Sequence, residues 1–304
     1  MRKETYLGLT YGDPASIGPE ILKKTLKVWG KWKFKSKPVV IGLKECSKCI
    51  LGKPTRFTGI HAYKCLEEAV SLAKEKKIRA LVTGPVSKKT INLTYKTFSG
   101  QTDEIAKLCN VNPKNAIMLF VANDLRIALF TRHIPLKEVS SKISKEKLEK
   151  YLLLLNKELK KWFHIKNPKI GILGLNPHAS EDGLFGNEEK NILAPVIKKL
   201  YSQNVLVSGP LSPDATLAKA GQNFLRSKGQ PYDTYVSFYH DQCLPMFKAV
   251  CGMKGVNVSL GLPFLRVSVD HGTAFDIAGK NKASNESLVS AIKLAEKILL
   301  PNKR

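Results

Sequence analysis

The sequence predicts an α/β fold with a mainly parallel sheet. Short apolar runs alternate along the chain with segments of helical periodicity, which is typical of parallel sheets covered by helices. Several of the apolar runs end directly in polar loops, as buried strands do. At 304 residues and 43% hydrophobic content, the chain is long enough to bury a large core, either as one unit or as two lobes.

Ten short apolar runs are candidate strands. They occupy residues 6–10, 39–42, 79–83, 117–121, 126–130, 170–175, 205–207, 235–238, 255–258 and 264–267. Asn123 and Asp124 separate two of these runs and predict a hairpin. Elsewhere the candidate strands mostly alternate with helices, and no internal repeat or disordered linker is visible.

Helical periodicity fills most of the longer gaps. The spacing predicts helices after Pro19, over residues 61–77, after Thr102, over 142–163, after Glu189 and from about Asn285 to the C-terminus. Thr102 is a candidate N-cap of its helix. The helix over 142–163 has one apolar stripe and a lysine-rich opposite face.

The chain is strongly basic, with a formal net charge of +25. Its basic residues concentrate in 23–37, 74–79 and 142–161, and the first run includes Trp29, Trp32 and Phe34. Such a charge attracts polyanions, but no known nucleic-acid-binding module accompanies it. We therefore favour a solvated basic surface that also suits a phosphorylated substrate. A polyanion-binding protein on a degenerate enzyme fold stays open as an alternative.

The six cysteines are too few and too scattered to predict a disulfide framework. Cys46 and Cys49 form a lone CxxC pair, which we interpret as reduced surface thiols, and Cys243 as a space-filling residue. No apolar run approaches the ~20 residues that a membrane span needs. The N-terminus lacks the cleavage pattern of a signal peptide, so we expect a cytoplasmic protein without a membrane partner.

Three histidines follow candidate strands at their carboxyl ends: His133, His178 and His240. Ligands of open α/β sheets bind beyond these ends, so three residues far apart in sequence can converge there. Three imidazoles with one open position form a known catalytic zinc arrangement. The sequence therefore predicts a metal-dependent enzyme.

Glycine-containing loops also follow candidate strands. The loop Gly12–Glu20 leads into a helix, and such a loop can hold an anion at the helix N-terminus. Similar loops follow at Gly84–Lys88, Phe98–Glu104 and Asp270–Ala274. No Gly-x-Gly-x-x-Gly follows a strand, which argues against a Rossmann dinucleotide site.

Long motifs in a fixed order make nearly the whole chain resemble the 4-hydroxythreonine-4-phosphate dehydrogenase (PdxA) family. These motifs are Gly12-Asp13-Pro14-Ala15-Ser16-Ile17-Gly18-Pro19-Glu20, Thr83-Gly84-Pro85-Val86-Ser87-Lys88, Leu175-Asn176-Pro177-His178-Ala179, Tyr239-His240-Asp241-Gln242, Gly255-Val256-Asn257-Val258 through Gly261-Leu262-Pro263-Phe264, and Ser268-Val269-Asp270-His271-Gly272-Thr273-Ala274. The resemblance implies a two-lobed fold like that of isocitrate and isopropylmalate dehydrogenases. We expect one catalytic unit, with a cofactor lobe at 1–120 plus 250–304 and a metal and dimer lobe at 121–249.

The resemblance also implies an activity. A PdxA enzyme oxidises 4-phosphooxy-L-threonine with NAD, or NADP, and a divalent metal, for which zinc is favoured and magnesium or cobalt are alternatives. The product, 2-amino-3-oxo-4-phosphooxybutanoate, loses carbon dioxide to give 3-amino-2-oxopropyl phosphate for pyridoxal 5′-phosphate biosynthesis. The family further implies a homodimer with the metal site at its interface and makes nucleic acid an unexpected partner.

Site residues carry over by position. The family's metal ligands match His133, His178 and His240, and its substrate-binding residues match Gln101, Thr102, Lys248, Asn257 and Arg266. The cofactor is assigned to Gly12 and Asp13 and to the loop His271, Gly272, Thr273 and Ala274. Asp241 and Lys248 are candidates to manage the proton, although Lys248 could equally anchor phosphate and Asp241 could orient a ligand histidine. Arg266 suits bidentate binding of an anion.

The chain departs from the family pattern at several positions. Gln101 replaces a substrate-contacting histidine and can hydrogen-bond but not titrate, while Ser16 and Cys243 each replace a glycine. Ser180-Glu181-Asp182 replaces Gly-Glu-Gly. Because of Gln101, a related phosphorylated hydroxy acid, 4-phospho-threonate or -erythronate, stays open as the substrate.

Overall fold

The computed structural model describes residues 4–42 and 49–301. The chain forms two compact units, the first made of Met1–Ala116 with Val256–Arg304 and the second of Ile117–Gly255. Cys46 of the CxxC pair lies outside the described residues, so the interpretation of that pair as surface thiols stays a prediction. Cys49 is partly exposed.

Ten strands and ten α-helices make up the regular structure of the described residues. The strands are β1 Tyr6–Thr10, β2 Lys37–Ile41, β3 Ala80–Thr83, β4 Ile117–Ala122, β5 Leu125–Leu129, β6 Ile170–Leu173, β7 Val207–Leu211, β8 Thr234–Ser237, β9 Val256–Leu260 and β10 Leu265–Val269. The helices are α1 Gly18–Lys27, α2 Arg56–Lys74, α3 Lys88–Asn92, α4 Gln101–Leu108, α5 Val139–Lys142, α6 Lys145–Phe163, α7 Ala194–Ser202, α8 Pro213–Leu225, α9 His240–Cys251 and α10 Glu286–Leu299.

The strands of the first unit lie in the order β2-β1-β3-β10-β9. All neighbours pair in parallel except β9 and β10, which form an antiparallel pair with Ser259 opposite Arg266. The carboxyl ends of β1, β3 and β10 therefore meet at one edge of the sheet. Because β9 runs the other way, its first residues lie at that same edge, with Asn257 opposite Ser268.

Helices of the first unit pack an apolar core against this sheet. Helix α2 buries Leu66, Ala69 and Val70 beside Leu81 of β3, and Ile105 of α4 joins the same cluster. A reciprocal capping box between Thr55 and Thr58 begins α2, which satisfies backbone N–H groups that have no partner within the helix.

The second unit repeats the pattern with the strand order β4-β5-β8-β6-β7. Strands β4 and β5 form the predicted antiparallel hairpin, whose turn places Asn123 in the left-handed region at φ 51°. The other neighbours pair in parallel. The prediction of a mainly parallel α/β sheet is thus confirmed in each unit.

Several details of the second unit differ from the prediction. Strand β7 covers Val207–Leu211 and not 205–207, and helix α5 was not predicted. Helix α8 was not predicted, and neither was α9, which begins at His240 itself. The sequence pattern predicts that Ile192 is buried in the helix after Glu189. This helix starts with a π-helical turn, Glu189–Leu193, so Leu193 is buried and Ile192 is only partly buried. Helix α6 buries four leucines of its predicted stripe.

None of the helices in the described part of the chain combines the length and apolar character needed to cross a bilayer.

Candidate active site

A buried arginine lies at the centre of a polar cluster in the first unit. Arg266 is only 2% exposed. Its Nε and Nη2 donate to Thr83 Oγ1 at 3.2 and 2.7 Å, and its Nη1 donates to Ser259 Oγ at 3.0 Å and Thr102 Oγ1 at 3.3 Å. Within the described residues, no carboxylate pairs with it, and burial lowers the pKa of the guanidinium to about 9. The cluster can accept an anionic group.

Thr102 therefore has a different role from the one that its position suggested. The N-cap of α4 is Gly100, and no side chain caps this helix. The Thr102 hydroxyl instead lies 3.2 Å from Ser259 Oγ and accepts a hydrogen bond from Arg266. The structure thus places Thr102 with Arg266, as expected for two substrate-binding residues, and corrects its interpretation as an N-cap.

Two buried amide oxygens near the carboxyl ends of β3 and β10 have no partner among the described residues. Gln101 donates from Nε2 to the carbonyl of Gly84 at 3.0 Å, while its Oε1 is buried and unpaired. Asn257 Oδ1 is likewise buried and unpaired. Buried acceptors without donors are costly and rare. Both oxygens are suited to accept hydrogen bonds from a ligand.

The loop after β1 packs backbone to backbone against the loop after β3. Asp13 N–H donates to the Pro85 carbonyl at 2.8 Å, and a Cβ added to Gly12, which has φ +77°, would lie 2.0 Å from that oxygen. Only glycine fits here. Its role in the structure is close loop packing, and cofactor binding by Gly12 stays a prediction.

The carboxylate of Asp13 is fully buried inside this loop. One oxygen accepts from the Ala15 N–H at 3.0 Å and the other from the Thr90 hydroxyl at 2.9 Å. Burial raises the pKa of this carboxyl, and the hydrogen bonds offset part of that rise. The two oxygens accept hydrogen bonds from the loop and from helix α3, so cofactor binding by Asp13 also stays a prediction.

The loop after β10 has one histidine nitrogen without a hydrogen-bond partner among the described residues. His271 Nδ1 lies 2.9 Å from the carbonyl of Gly272, whereas Nε2 is buried with no partner in the described part of the chain. The carbonyl of Thr273 accepts from the Ile17 N–H at 3.0 Å, which ties this loop to the start of α1, and Ala274 has φ 42°. A Cβ on Gly272 would meet open space. The loop can receive a ligand at His271.

In the second unit, two of the predicted metal ligands are neighbours. The rings of His133 and His240 lie 5.6 Å apart between centroids, at 82° to each other. The strand ends that carry them are joined because Thr131 Oγ1 and Phe130 N–H donate to the carbonyls of Phe238 and Ser237, at 2.5 and 2.8 Å. This pairing follows from the parallel register of β5 and β8.

His178 lies on the loop after β6. Its Nδ1 is 4.0 Å from Asp214 Oδ2, and it begins a run of five non-glycine residues with positive φ, His178–Asp182. Asn176 fastens the start of this loop, since its N–H donates to Glu189 at 2.8 Å and its Nδ2 donates to Glu188 and Glu189 at 2.9 Å each. A cleft of about 320 Å³ is lined by residues of this loop together with Asp214, Tyr239 and Gln242.

Among the residues that the structure describes, no group of three or more His, Cys, Asp and Glu side chains is close enough to hold a metal ion. Two of the three predicted ligands are thus brought together, and His178 is not in the same group. The donor chemistry suits zinc, because imidazole is one of its common ligands. His133 and His178 both have φ near 50°, a region that non-glycine residues seldom adopt and that is enriched at functional sites.

Gln242 is a site residue that sequence reasoning missed. Its Oε1 accepts from Ser237 Oγ and Phe238 N–H at 2.8 Å each, and its Nε2 donates to the Gly174 carbonyl at 2.6 Å. It therefore joins the end of β8, before His240, to the end of β6, before His178. Its place inside the motif Tyr239-His240-Asp241-Gln242 was the available signal.

The two candidate proton carriers are both exposed on α9. Asp241 Oδ2 lies 3.2 Å from His240 Nδ1 with 79% of its side chain exposed, which matches an orienting role for this carboxylate. Lys248 lies two turns further along the same helix. Cys243 faces the interior, where burial raises its pKa to about 12 and keeps the thiol protonated, as expected of a space-filling residue.

Comparison with known proteins places the chain in a family. The family model described as pyridoxal phosphate biosynthetic protein PdxA matches residues 17–295. A 4-hydroxythreonine-4-phosphate dehydrogenase of Sulfurihydrogenibium sp. is 38% identical over 322 residues, covering 95% of this chain and 97% of the relative.

Solved structures agree with this relationship. A crystal structure of 4-hydroxythreonine-4-phosphate dehydrogenase from Klebsiella pneumoniae matches with a TM-score of 0.80 at 28% identity, covering 97% of this chain and 99% of that one. A β-decarboxylating dehydrogenase from Thermococcus kodakarensis, at 14% identity, 94% coverage of this chain and 81% of that one, shares the fold with a TM-score of 0.54. The expected fold class is confirmed. The chain belongs to the PdxA family of pyridoxal phosphate biosynthetic proteins and is an oxidoreductase.

Proposed function

We propose that this protein oxidises 4-phosphooxy-L-threonine to 2-amino-3-oxo-4-phosphooxybutanoate with NAD or NADP and a divalent metal. The observation that carries the proposal is the buried Arg266, which no carboxylate among the described residues neutralises. A buried charge without a counterion is strongly unfavourable, so an anionic ligand at this position gains affinity by neutralising it. The substrate is inferred from the name of the relatives, 4-hydroxythreonine-4-phosphate dehydrogenase, because 4-hydroxythreonine 4-phosphate is another name for 4-phosphooxy-L-threonine.

The first unit provides groups for substrate and cofactor. Arg266 binds an anionic group of the substrate, and Thr102 supports it through its hydroxyl. Gln101 Oε1 and Asn257 Oδ1 accept hydrogen bonds from the substrate's hydroxyl or ammonium groups. His271 binds the cofactor through Nε2, which has no hydrogen-bond partner among the described residues. The nicotinamide, when bound, supplies the hydride acceptor.

The second unit provides the metal ligands and the proton carriers. His133 and His240 would hold a divalent ion, for which zinc is favoured, and His178 is the third ligand that the family resemblance implies. When bound, the metal supplies Lewis-acid polarisation of a secondary hydroxyl. The carboxylate of Asp241 orients His240 through Nδ1. Lys248 takes the hydroxyl proton as the hydride leaves, or anchors the phosphate.

A related substrate is the second candidate. Gln101 stands where relatives carry a substrate-contacting histidine, and its amide oxygen accepts a hydrogen bond without titrating. Such an acceptor fits the hydroxyl of 4-phospho-threonate or 4-phospho-erythronate as well as the ammonium of 4-phosphooxy-L-threonine. Comparing turnover of the phosphorylated amino acid and the phosphorylated hydroxy acids distinguishes these candidates.

The metal assignment is tested by the His240→Gln variant. We expect the wild-type protein to retain about one zinc ion per chain after dialysis and His240→Gln to lose most of it, with turnover falling at least about 100-fold. His164→Gln is the matched control, since this exposed-loop histidine lies outside the proposed ligand set. Metal content measured by mass spectrometry should stay at the wild-type level in the control. Full zinc occupancy in His240→Gln would contradict the assignment.

We also propose a homodimer whose interface contains the metal site, as the family resemblance implies. Native mass spectrometry should show a mass near twice the 33.8 kDa of the chain. A monomer that turns over substrate at full rate would contradict this arrangement.

A further inference from the structure

The partners of Arg266 are unusual for a buried guanidinium, because all of them are neutral hydroxyl groups. Thr83 Oγ1 accepts from both Nε and Nη2, and Ser259 Oγ and Thr102 Oγ1 accept from Nη1. All three hydroxyl residues are less than a tenth exposed.

The sheet register explains why these hydroxyls surround one side chain. Ser259 lies directly opposite Arg266 in the antiparallel pair β9–β10, so the two side chains lie on the same face. Leu81 is in register with Arg266 in the parallel pair β3–β10, and Thr83 is two residues further on the same face. The guanidinium is therefore held from both neighbouring strands.

Neutral acceptors orient a guanidinium without cancelling its charge. A carboxylate in place of the Ser259 or Thr83 hydroxyl would form a bidentate ion pair with Arg266 and neutralise its charge within the protein. Hydroxyls satisfy N–H groups that would otherwise be buried without partners, while the full positive charge stays available to a ligand. The neighbours of Arg266 thus combine fixed geometry with an uncompensated charge, which is the combination that an anion-binding arginine needs.

We propose that Ser259 and Thr83 are positioning residues that hold the Arg266 guanidinium in place, un-neutralised, for a phosphate or carboxylate group of the substrate. The proposal rests on the proposed function only in taking Arg266 as the group that binds the substrate anion. It assigns Ser259 and Thr83 an effect on ligand affinity that exceeds their effect on folding.

The test measures binding of inorganic phosphate by calorimetry to the full-length protein at moderate salt. Arg266→Met defines the part of the signal that belongs to this site, because the basic surface binds phosphate weakly elsewhere. We expect Ser259→Ala and Thr83→Val to raise the phosphate Kd about ten-fold, as is typical when a hydrogen bond to a charged group is lost. Ser259→Thr and Thr83→Ser, which keep the hydroxyl, should restore most of the affinity.

Two further variants separate positioning from stability. Ser259→Asp should abolish phosphate binding while keeping or raising the melting temperature, since an internal carboxylate then neutralises Arg266. Ser36→Ala removes another buried serine hydroxyl of the first unit, one that donates to Glu296, and should leave phosphate affinity unchanged. With 4-phosphooxy-L-threonine, Ser259→Ala should raise KM about ten-fold with kcat within about two-fold of wild type.

The outcomes distinguish this inference from the dehydrogenase proposal. Wild-type phosphate affinity in both Ser259→Ala and Thr83→Val, or in Ser259→Asp, would overturn the inference whatever the enzyme's activity, as would a wild-type protein with no Arg266-dependent phosphate binding. If the predicted changes in phosphate affinity occur but no phosphorylated hydroxy acid is oxidised, the inference stands and the proposed reaction is wrong.

Discussion

At the scale of single residues, Arg266 shows how binding and stability oppose each other. Burial disfavours its charged form, and hydroxyl groups compensate only part of the lost hydration. Replacing a buried ion pair by apolar side chains of similar size is often neutral or stabilising, and Arg266 bears the cost of desolvation without a carboxylate partner among the described residues. The residue is therefore explained by ligand binding and not by its contribution to folding.

We predict that Arg266→Met keeps or raises the free energy of unfolding, by up to about 1 kcal/mol, while substrate turnover becomes undetectable. Urea denaturation measures the first quantity and a nicotinamide absorbance assay the second. A variant that loses several kcal/mol of stability yet keeps its substrate affinity would contradict the proposed role. Arg56→Met, on the exposed start of α2, is the control and should change neither quantity.

A second prediction at this scale concerns the pH dependence of stability. The Asp13 carboxyl is buried without a cationic partner in the described residues. Its raised pKa means that the folded state binds a proton more readily than the unfolded chain does. The ionised form therefore destabilises the fold at neutral pH, and this penalty disappears as pH falls through the folded-state pKa.

Asp13→Asn should accordingly raise the melting temperature at neutral pH by roughly 1–3 °C. The asparagine Oδ1 still accepts from Ala15, and Thr90 can turn its own proton toward the Ser87 carbonyl, 3.0 Å away. The difference from wild type should shrink as pH is lowered, since wild-type Asp13 then becomes neutral. A difference in melting temperature that grows toward acid pH would show that folding lowers, and does not raise, the pKa of Asp13. An unchanged KM for NAD would also count against cofactor binding by Asp13.

At the scale of elements, the loops that follow parallel strands hold the site together. Gln242, at the start of α9, connects the loops that lead to His178 and His240 through three short hydrogen bonds. Side chains that orient metal-bearing segments affect metal affinity without touching the metal.

We predict that Gln242→Met lowers zinc affinity about ten-fold, measured by competition with a chromophoric chelator. It should also destabilise the protein by about 1–3 kcal/mol, because the Gly174 carbonyl and the Phe238 N–H lose their partner. Gln222→Met, at an exposed position on α8, is the matched control. Unchanged zinc affinity in Gln242→Met would show that these loops are positioned by other contacts.

The same elements show how far the sequence predicts the structure. Most strands are short apolar runs with polar loops after them, so their positions and the parallel arrangement follow from pattern alone. Strand β7 is the exception, because it begins at Val207, where the predicted run 205–207 ends. Helices α8 and α9 were missed because Pro213 opens one and Pro245 interrupts the other, and proline in such segments suggests loops. Histidine positions at strand ends predicted that His133, His178 and His240 would converge. In the described residues His133 and His240 are neighbours, and His178 does not join them in a group close enough to hold a metal.

The hydroxyl partners of Arg266 could not be predicted in the same way. Ser259 and Thr83 are far apart in sequence and meet only through the register of β3, β10 and β9. A shift of one residue in either pairing would turn them to the opposite face. Register depends on packing of the whole sheet, so local patterns carry little information about it.

At the scale of the whole molecule, the question is what the net charge of +25 binds. We expect this charge to attract polyanions only non-specifically. Binding to single-stranded or duplex oligonucleotides, measured by fluorescence anisotropy, should disappear by about 0.2 M salt, since purely electrostatic contacts weaken steeply as salt increases. Binding that persists at that salt would instead support a polyanion-binding protein on an enzyme fold.

The central claim is that this PdxA-family chain oxidises a phosphorylated hydroxy-amino acid. The most direct test follows the absorbance of reduced nicotinamide as the zinc-loaded protein is mixed with NAD and 4-phosphooxy-L-threonine, and in parallel with 4-phospho-threonate. We expect turnover of 4-phosphooxy-L-threonine that stops on addition of a chelator and returns with zinc. Turnover of 4-phospho-threonate alone would assign the enzyme to phosphorylated sugar acids, and no turnover of either compound by the metal-loaded protein would contradict the account.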